Sequence, residues 1–292
     1  MASQMRMLKF NSLFSETLLF RLFTSALIAS VLCLASPSAS HATDWPALEA
    51  RIKTVVGSPE FVEAVLDQYQ FQGNTRAVMR THLTELYRSE EVIKALFAEI
   101  RNLGIDSHAE LYGDNPWAFG QKFGAQLIQS WAIKGIARLP AADQRSFYRY
   151  ILQWMTVATP EDCKQMMISS DKSALENGRL ELKYFYRMSQ SELETYLALL
   201  RKSIFAELRD FPSTRTLSGE QLQIAEKAFT SSFAEMIKSE GVGMDVVMAF
   251  SDPKSARPQQ ACDAGKLVLK TLMNMKGLPG DWMALKLVLS GQ

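Results

Sequence analysis

The chain has 292 residues, of which 32 are Lys or Arg, 31 are Asp or Glu, 47% are hydrophobic and 22% are charged. This is ordinary globular composition, and it excludes a disordered, collagen-like or low-complexity chain. The near-neutral charge also excludes a broad basic surface for neutralising nucleic-acid phosphates, so no nucleic acid is expected as a partner.

Arg6, Lys9 and Arg21 precede an apolar run from Leu22 to Ala35, broken only by Thr24, Ser25 and Ser30. Small residues then lead to Ser40-His41-Ala42. A basic region, a short apolar core and small residues before a cut form the pattern of a secretory signal peptide. The run is shorter than the roughly 20 residues of a membrane-spanning helix. Residues 1–42 are therefore expected to be a signal peptide cleaved near Ala42, leaving the remainder periplasmic or secreted. Cys33 follows Leu32, not the small residue that a lipid-attachment site wants. Three of the 32 basic and one of the 31 acidic residues leave with this segment, so the exported chain carries a charge of about −1.

Residues 43–292 read as an all-α domain, a multi-helix bundle of roughly ten helices, with two lobes split near 170–178. Trp45-Pro46 and Ser58-Pro59-Glu60 place proline in the first turn of a helix, where its missing N–H costs nothing. After Ser89-Glu90-Glu91, the residues Val92, Ile93, Leu96, Phe97 and Ile100 recur at helical spacing. From Pro116 to Arg138 the polar residues fall mainly on one four-residue row, including Ser130, Lys134 and Arg138, which predicts a deeply packed helix. Gly120-x-x-x-Gly124 within it reads as a close-packing position, since Lys122 lies between the glycines. The stretch from Arg179 to Tyr186 begins with alternation, but no second strand pairs with it, so it is read as helix. Ser189-Gln190-Ser191-Glu192 and Ser218-Gly219-Glu220-Gln221 are capping boxes. The first opens a helix whose apolar face is Leu193, Tyr196, Leu197, Leu200, Ile204 and Leu208, stopped at Asp210-Phe211-Pro212.

After export two cysteines remain, Cys163 and Cys262, each soon after a proline at a predicted helix start. In an oxidising compartment the simplest expectation is a disulfide between them, joining the two lobes. No C-x-x-C motif accompanies either one, so a redox role is not expected.

Catalytic signatures are absent: there is no H-E-x-x-H, G-x-S-x-G, Walker or dinucleotide-binding motif. Ser169-Ser170-Asp171-Lys172 is an S-x-x-K tetrad without the K-T-G that penicillin-recognising enzymes add. His108-Ala109-Glu110 lacks the P-C-x-x-C half of a deaminase site. His82 and Glu85 share a helix face but lack further ligands, so neither metal nor cofactor is expected. Met273-Asn274-Met275 is an M-x-M with no histidine nearby in sequence, which argues against copper. Methionines mostly fill cores, yet they also line adaptable apolar grooves. Met236, Met244, Met248 and Met283 are the candidates for such a groove.

These features point to an exported helical interaction protein without catalytic activity, with a protein partner in the cell envelope. Its concrete form is a periplasmic inhibitor or immunity protein. One alternative is a carrier of an apolar ligand or lipid in an inter-helix cavity. Another is a hydrolase whose site has no familiar motif, for which His82, Glu85 and His108 are the first residues to replace.

Overall fold

The structure is a computed structural model that describes residues 45–102, 116–168 and 182–290. The expected signal peptide, the lobe boundary at 170–178, the S-x-x-K tetrad and His108 lie outside the described residues. The described residues are all-helical, as the patterning requires. In chain order the helices of eight residues or more are α1 (Trp45–Val56), α2 (Pro59–Gln68), α3 (Gly73–Tyr87), α4 (Glu90–Asn102), α5 (Pro116–Arg138) and α6 (Ala141–Val157). They continue with α7 (Pro160–Met167), α8 (Gln190–Leu208), α9 (Gly219–Glu240), α10 (Met244–Ser251), α11 (Pro258–Asn274) and α12 (Gly277–Ser290). Residues 182–185 form one further helical turn.

The helix starts follow the side-chain chemistry of the caps. Ser58 accepts the N–H of Phe61 ahead of Pro59, and Thr159 accepts that of Asp162 ahead of Pro160. Both predicted capping boxes are closed, Ser189 with Glu192 and Ser218 with Gln221. Each cap satisfies donors that a helix cannot pair internally, and an N-cap hydroxyl is worth about 1 kcal/mol.

The described chain divides into two compact units, each assembled from two stretches. The first takes residues 45–102, 116–132 and 182–209 of those described, the second 133–168 and 210–290, so the division falls inside α5. In the first unit α3 packs against α2, α4 and α8, and α4 also packs against α8. The faces read from the sequence are the buried ones: Val92, Ile93, Leu96, Phe97 and Ile100 on α4, and Leu193, Tyr196, Leu197, Leu200 and Ile204 on α8. Each large apolar side chain removed from water contributes about 1.5–3 kcal/mol against the entropy of ordering the chain. Polar clasps close the edges. Arg209 at the end of α8 grips both carboxylate oxygens of Glu91 in the first turn of α4. Glu63 on α2 takes both Arg76 and Arg80 of α3.

In the second unit α11 is the central helix. It packs against α6, α7, α9, α10 and α12, and its buried residues cover a wide face that leaves a stripe including Gln259, Asp263, Lys266 and Lys270 toward solvent. Gly265 allows that approach: a Cβ there would stand 2.5 Å from Met155 Cε of α6 and Met167 Sδ of α7. Arg145 of α6 fastens the end of α11, donating to the carbonyls of Leu272 (3.3 Å) and Met275 (3.0 Å) and to Asp281 Oδ1 (2.8 Å). A cation on the last carbonyls satisfies acceptors that the helix leaves open and complements its dipole. The buried Gln144 does the same for α5, its amide donating to the carbonyls of Ile136 and Ala137.

Within α5, Ile128, Trp131, Ala132, Ile136 and Ala137 are buried while Lys134 is exposed, in line with the narrow polar row. Gln129, polar in the sequence, is buried as well. The Gly120-x-x-x-Gly124 position falls where side chains lie outside the described residues.

Candidate functional site

Cys163 and Cys262 are bonded, with their Cα atoms 5.2 Å apart at a sequence separation of 99. Both side chains are buried, at the contact of α7 with α11. Both also belong to the second unit, which is built from two separate stretches of chain, and the bridge ties one stretch to the other. Beside it, Lys164 reaches the loop before α11, donating to the carbonyls of Lys254 and Ala256 at 2.7 Å each.

The four candidate groove methionines do not share an environment. Met283 is fully buried in α12, so it belongs to the core and not to a groove open to solvent. Met236 on α9 is half-buried. Met244 and Met248, by contrast, are 65% and 63% exposed. They lie four residues apart and so stack on one face of α10. The opposite face of α10 carries Ala249 and Phe250 into the unit, where Phe250 meets Phe233 of α9 with ring centroids 5.8 Å apart. The sequence Met244-Asp245-Val246-Val247-Met248-Ala249-Phe250-Ser251 is too apolar for one buried face to absorb. The surplus thioethers therefore stand in water.

His82 is buried on α3, and its Nδ1 lies 3.0 Å from Nη1 of Arg201 on α8. Nε of Arg201 in turn pairs with Glu85 Oε2 at 2.7 Å. The pairing of His82 and Glu85 on one helix face is as read from the sequence, but both are tied to a guanidinium that no local pattern revealed. Burial, and next the Arg201 charge, push the imidazole well below its ordinary pKa. A neutral ring accepting from a permanent cation is a clasp between α3 and α8. Replacement of His82 therefore disturbs packing as well as any chemistry. Among the described residues no group of three or more His, Cys, Asp or Glu side chains gathers where a metal ion could be held.

A cleft of about 510 Å³ opens in the first unit, lined by residues 72–75, 78, 186, 188–190 and 193. It lies where the starts of α3 and α8 come together. Tyr186 fastens it: its hydroxyl accepts the N–H of Gln72 at 2.9 Å and donates to the carbonyl of Gln70 at 3.0 Å. Gln70 and Gly73 both have positive φ, 56° and 54°, which turns the chain sharply into α3. Gln72 makes no side-chain cap on α3. The first backbone N–H groups of that helix, from Gly73 to Thr75, cannot bond within it and face water or a ligand. The sequence pattern marked the cap at Ser189, but nothing local linked Gln72 to Tyr186, 114 residues away.

No protein-family model, curated protein or solved structure matches this chain. Among the described residues no helix is long and apolar enough to cross a membrane.

Proposed function

We propose that this chain is an exported interaction protein that docks on a protein partner in the cell envelope through the outer face of α10. The observation that carries the reading is the pair Met244 and Met248, 65% and 63% exposed on one face of a short helix seated by Ala249 and Phe250. Unbranched thioethers on a rigid support give an adaptable apolar contact, the kind of surface that gains most from being covered. The signal-peptide pattern of residues 1–42 and the buried Cys163–Cys262 bridge support an oxidising compartment. The concrete form is an inhibitor or immunity protein, which acts by covering its target and needs no chemistry of its own. The carrier reading draws less support, because Met283 is in the core and the 510 Å³ cleft is rimmed by polar groups.

A photo-crosslinking residue at position 248, introduced in the native cells, tests this reading. One protein is expected to be trapped from 248 and not from Glu235, an exposed position on α9. Equal trapping from both positions, or none from 248, would overturn it.

A further inference from the structure

We propose that the cleft between the starts of α3 and α8 binds an uncharged saccharide of one or two rings. This site is separate from the α10 face and does not depend on the docking reading. The lining contains no Lys, Arg, His, Asp or Glu. A cation would surrender its hydration there without meeting an acidic side chain, and the open N–H groups at the start of α3 serve a hydroxyl oxygen as well as they serve an anion. The rim carries the carboxamides of Gln72, Asn74 and Gln190, the last with its nitrogen already donating to Glu194 Oε1 at 2.8 Å, and the hydroxyl of Thr75. A wholly apolar ligand would leave those groups dry and unpaired, at a cost comparable to what its own burial returns. The floor, however, is apolar: Val78 and Leu193 are buried beneath the rim.

One wall is the ring of Tyr186, which is 47% exposed while its hydroxyl is held by two bonds to the 70–72 loop. The ring is therefore fixed in orientation before any ligand arrives, which lowers the cost of binding. The ligand this surface fits has an apolar face for Tyr186 and Leu193, and a ring of groups that both donate and accept for the amides. A pyranose has that construction, with C–H groups on its faces and hydroxyls around its edge. A carboxamide supplies two donors and one acceptor oxygen, so it can pair with two neighbouring hydroxyls at once. The volume, about 510 Å³, lies in the range of small-molecule sites and has room for two rings.

The test is a titration of the full exported chain, followed by NMR chemical shifts. The probes are maltose, cellobiose and diacetylchitobiose, with inorganic phosphate and an acetylated, amidated trialanine as contrasts. At least one disaccharide is expected to bind with a Kd of about 1 mM or tighter, shifting the amides of residues 73–75 and 188–190. Asn74→Ala and Gln190→Ala, both at exposed positions, are each expected to weaken it about tenfold or more without changing Tm. Tyr186→Ala removes the wall, and Tyr186→Phe shows separately what loss of the staple does. Absence of saccharide binding would overturn the proposal. So would binding untouched by Asn74→Ala and Gln190→Ala, or a preference for phosphate or the peptide.

Discussion

Replacing Cys163 and Cys262 by alanine in residues 43–292 removes a covalent cross-link between the two stretches of the second unit. The bridge spans 99 residues. Closing a loop of about 100 residues restricts the unfolded chain by about 4.7 kcal/mol at 25 °C in the chain-entropy model. A domain's whole stability is only about 5–15 kcal/mol, so the loss is a third of it or more. At about 2–4 °C per kcal/mol for a chain of this size, the melting temperature should fall by roughly 10–20 °C. The effect should be local. Amides of α6, α7 and α11 should exchange faster with solvent, while those of α3 and α8 keep their protection. Because both sulfurs are buried, reductant must wait for the unit to open, and reduction should accelerate as urea is added. Urea unfolding of the oxidised protein and the double variant, with thiol titration of each, is the assay. Two free thiols in the untreated protein, or a stability change under about 1 kcal/mol, would refute the reasoning.

Gly280→Ala should destabilise by about 1–3 kcal/mol in thermal melts, because the new methyl group collides with an Arg145 guanidinium committed to α11 and Asp281 and stands 3.0 Å from Met275 Cβ. Gly265→Ala meets only the flexible ends of Met155 and Met167, and the gain in helix propensity offsets that crowding, so its change should stay within about 1 kcal/mol. The buried imidazole of His82 is held below its ordinary pKa, so the unfolded chain takes up the proton first as pH falls. Its contribution is complete above about pH 6.5 and is lost below it, at up to about 1.4 kcal/mol per pH unit. His82→Gln should flatten that limb of the stability curve, and an unchanged slope would contradict the buried, neutral state. Hydrogen bonds from Arg80 and then Arg76 lower Glu63 to about 2, so its contribution is present above pH 4.5 and disappears as pH falls towards 2. These side chains are partly exposed, so acid titrations of the wild type and Glu63→Gln should differ at low salt and converge at high salt.

What was legible in the sequence was local. Ser58, Ser189 and Ser218 cap helices because a short side-chain oxygen beside a proline or three residues before Glu or Gln has one favourable use. Leu193 to Ile204 fall on one face because a 3.6-residue period allows nothing else. The Cys163–Cys262 pairing followed from residues 43–292 holding only two cysteines. What was hidden depends on distant contacts. Arg201 reaches His82 across 119 residues, and Tyr186 reaches Gln72 across 114. The methionines show the limit most clearly. Met248 and Met283 sit in similarly apolar helices, yet one is 63% exposed and the other fully buried. Composition cannot separate them, because exposure is decided by which face the neighbouring helices leave uncovered. For the same reason α11 could not be picked out as the central helix of its unit: its exposed-looking small residues, Ala261, Ala264 and Gly265, are the ones that let other helices come close.

The proposed docking of a protein on α10 is tested most directly by affinity capture with residues 43–292 from native cell extracts and envelope fractions, weighing everything retained by intact-mass spectrometry. One protein at fixed stoichiometry is expected, lost when Met244→Asp and Met248→Asp are combined, with the variant's melting temperature unchanged. Retention of lipid alone, or a partner held equally well by the doubly substituted chain, would contradict it.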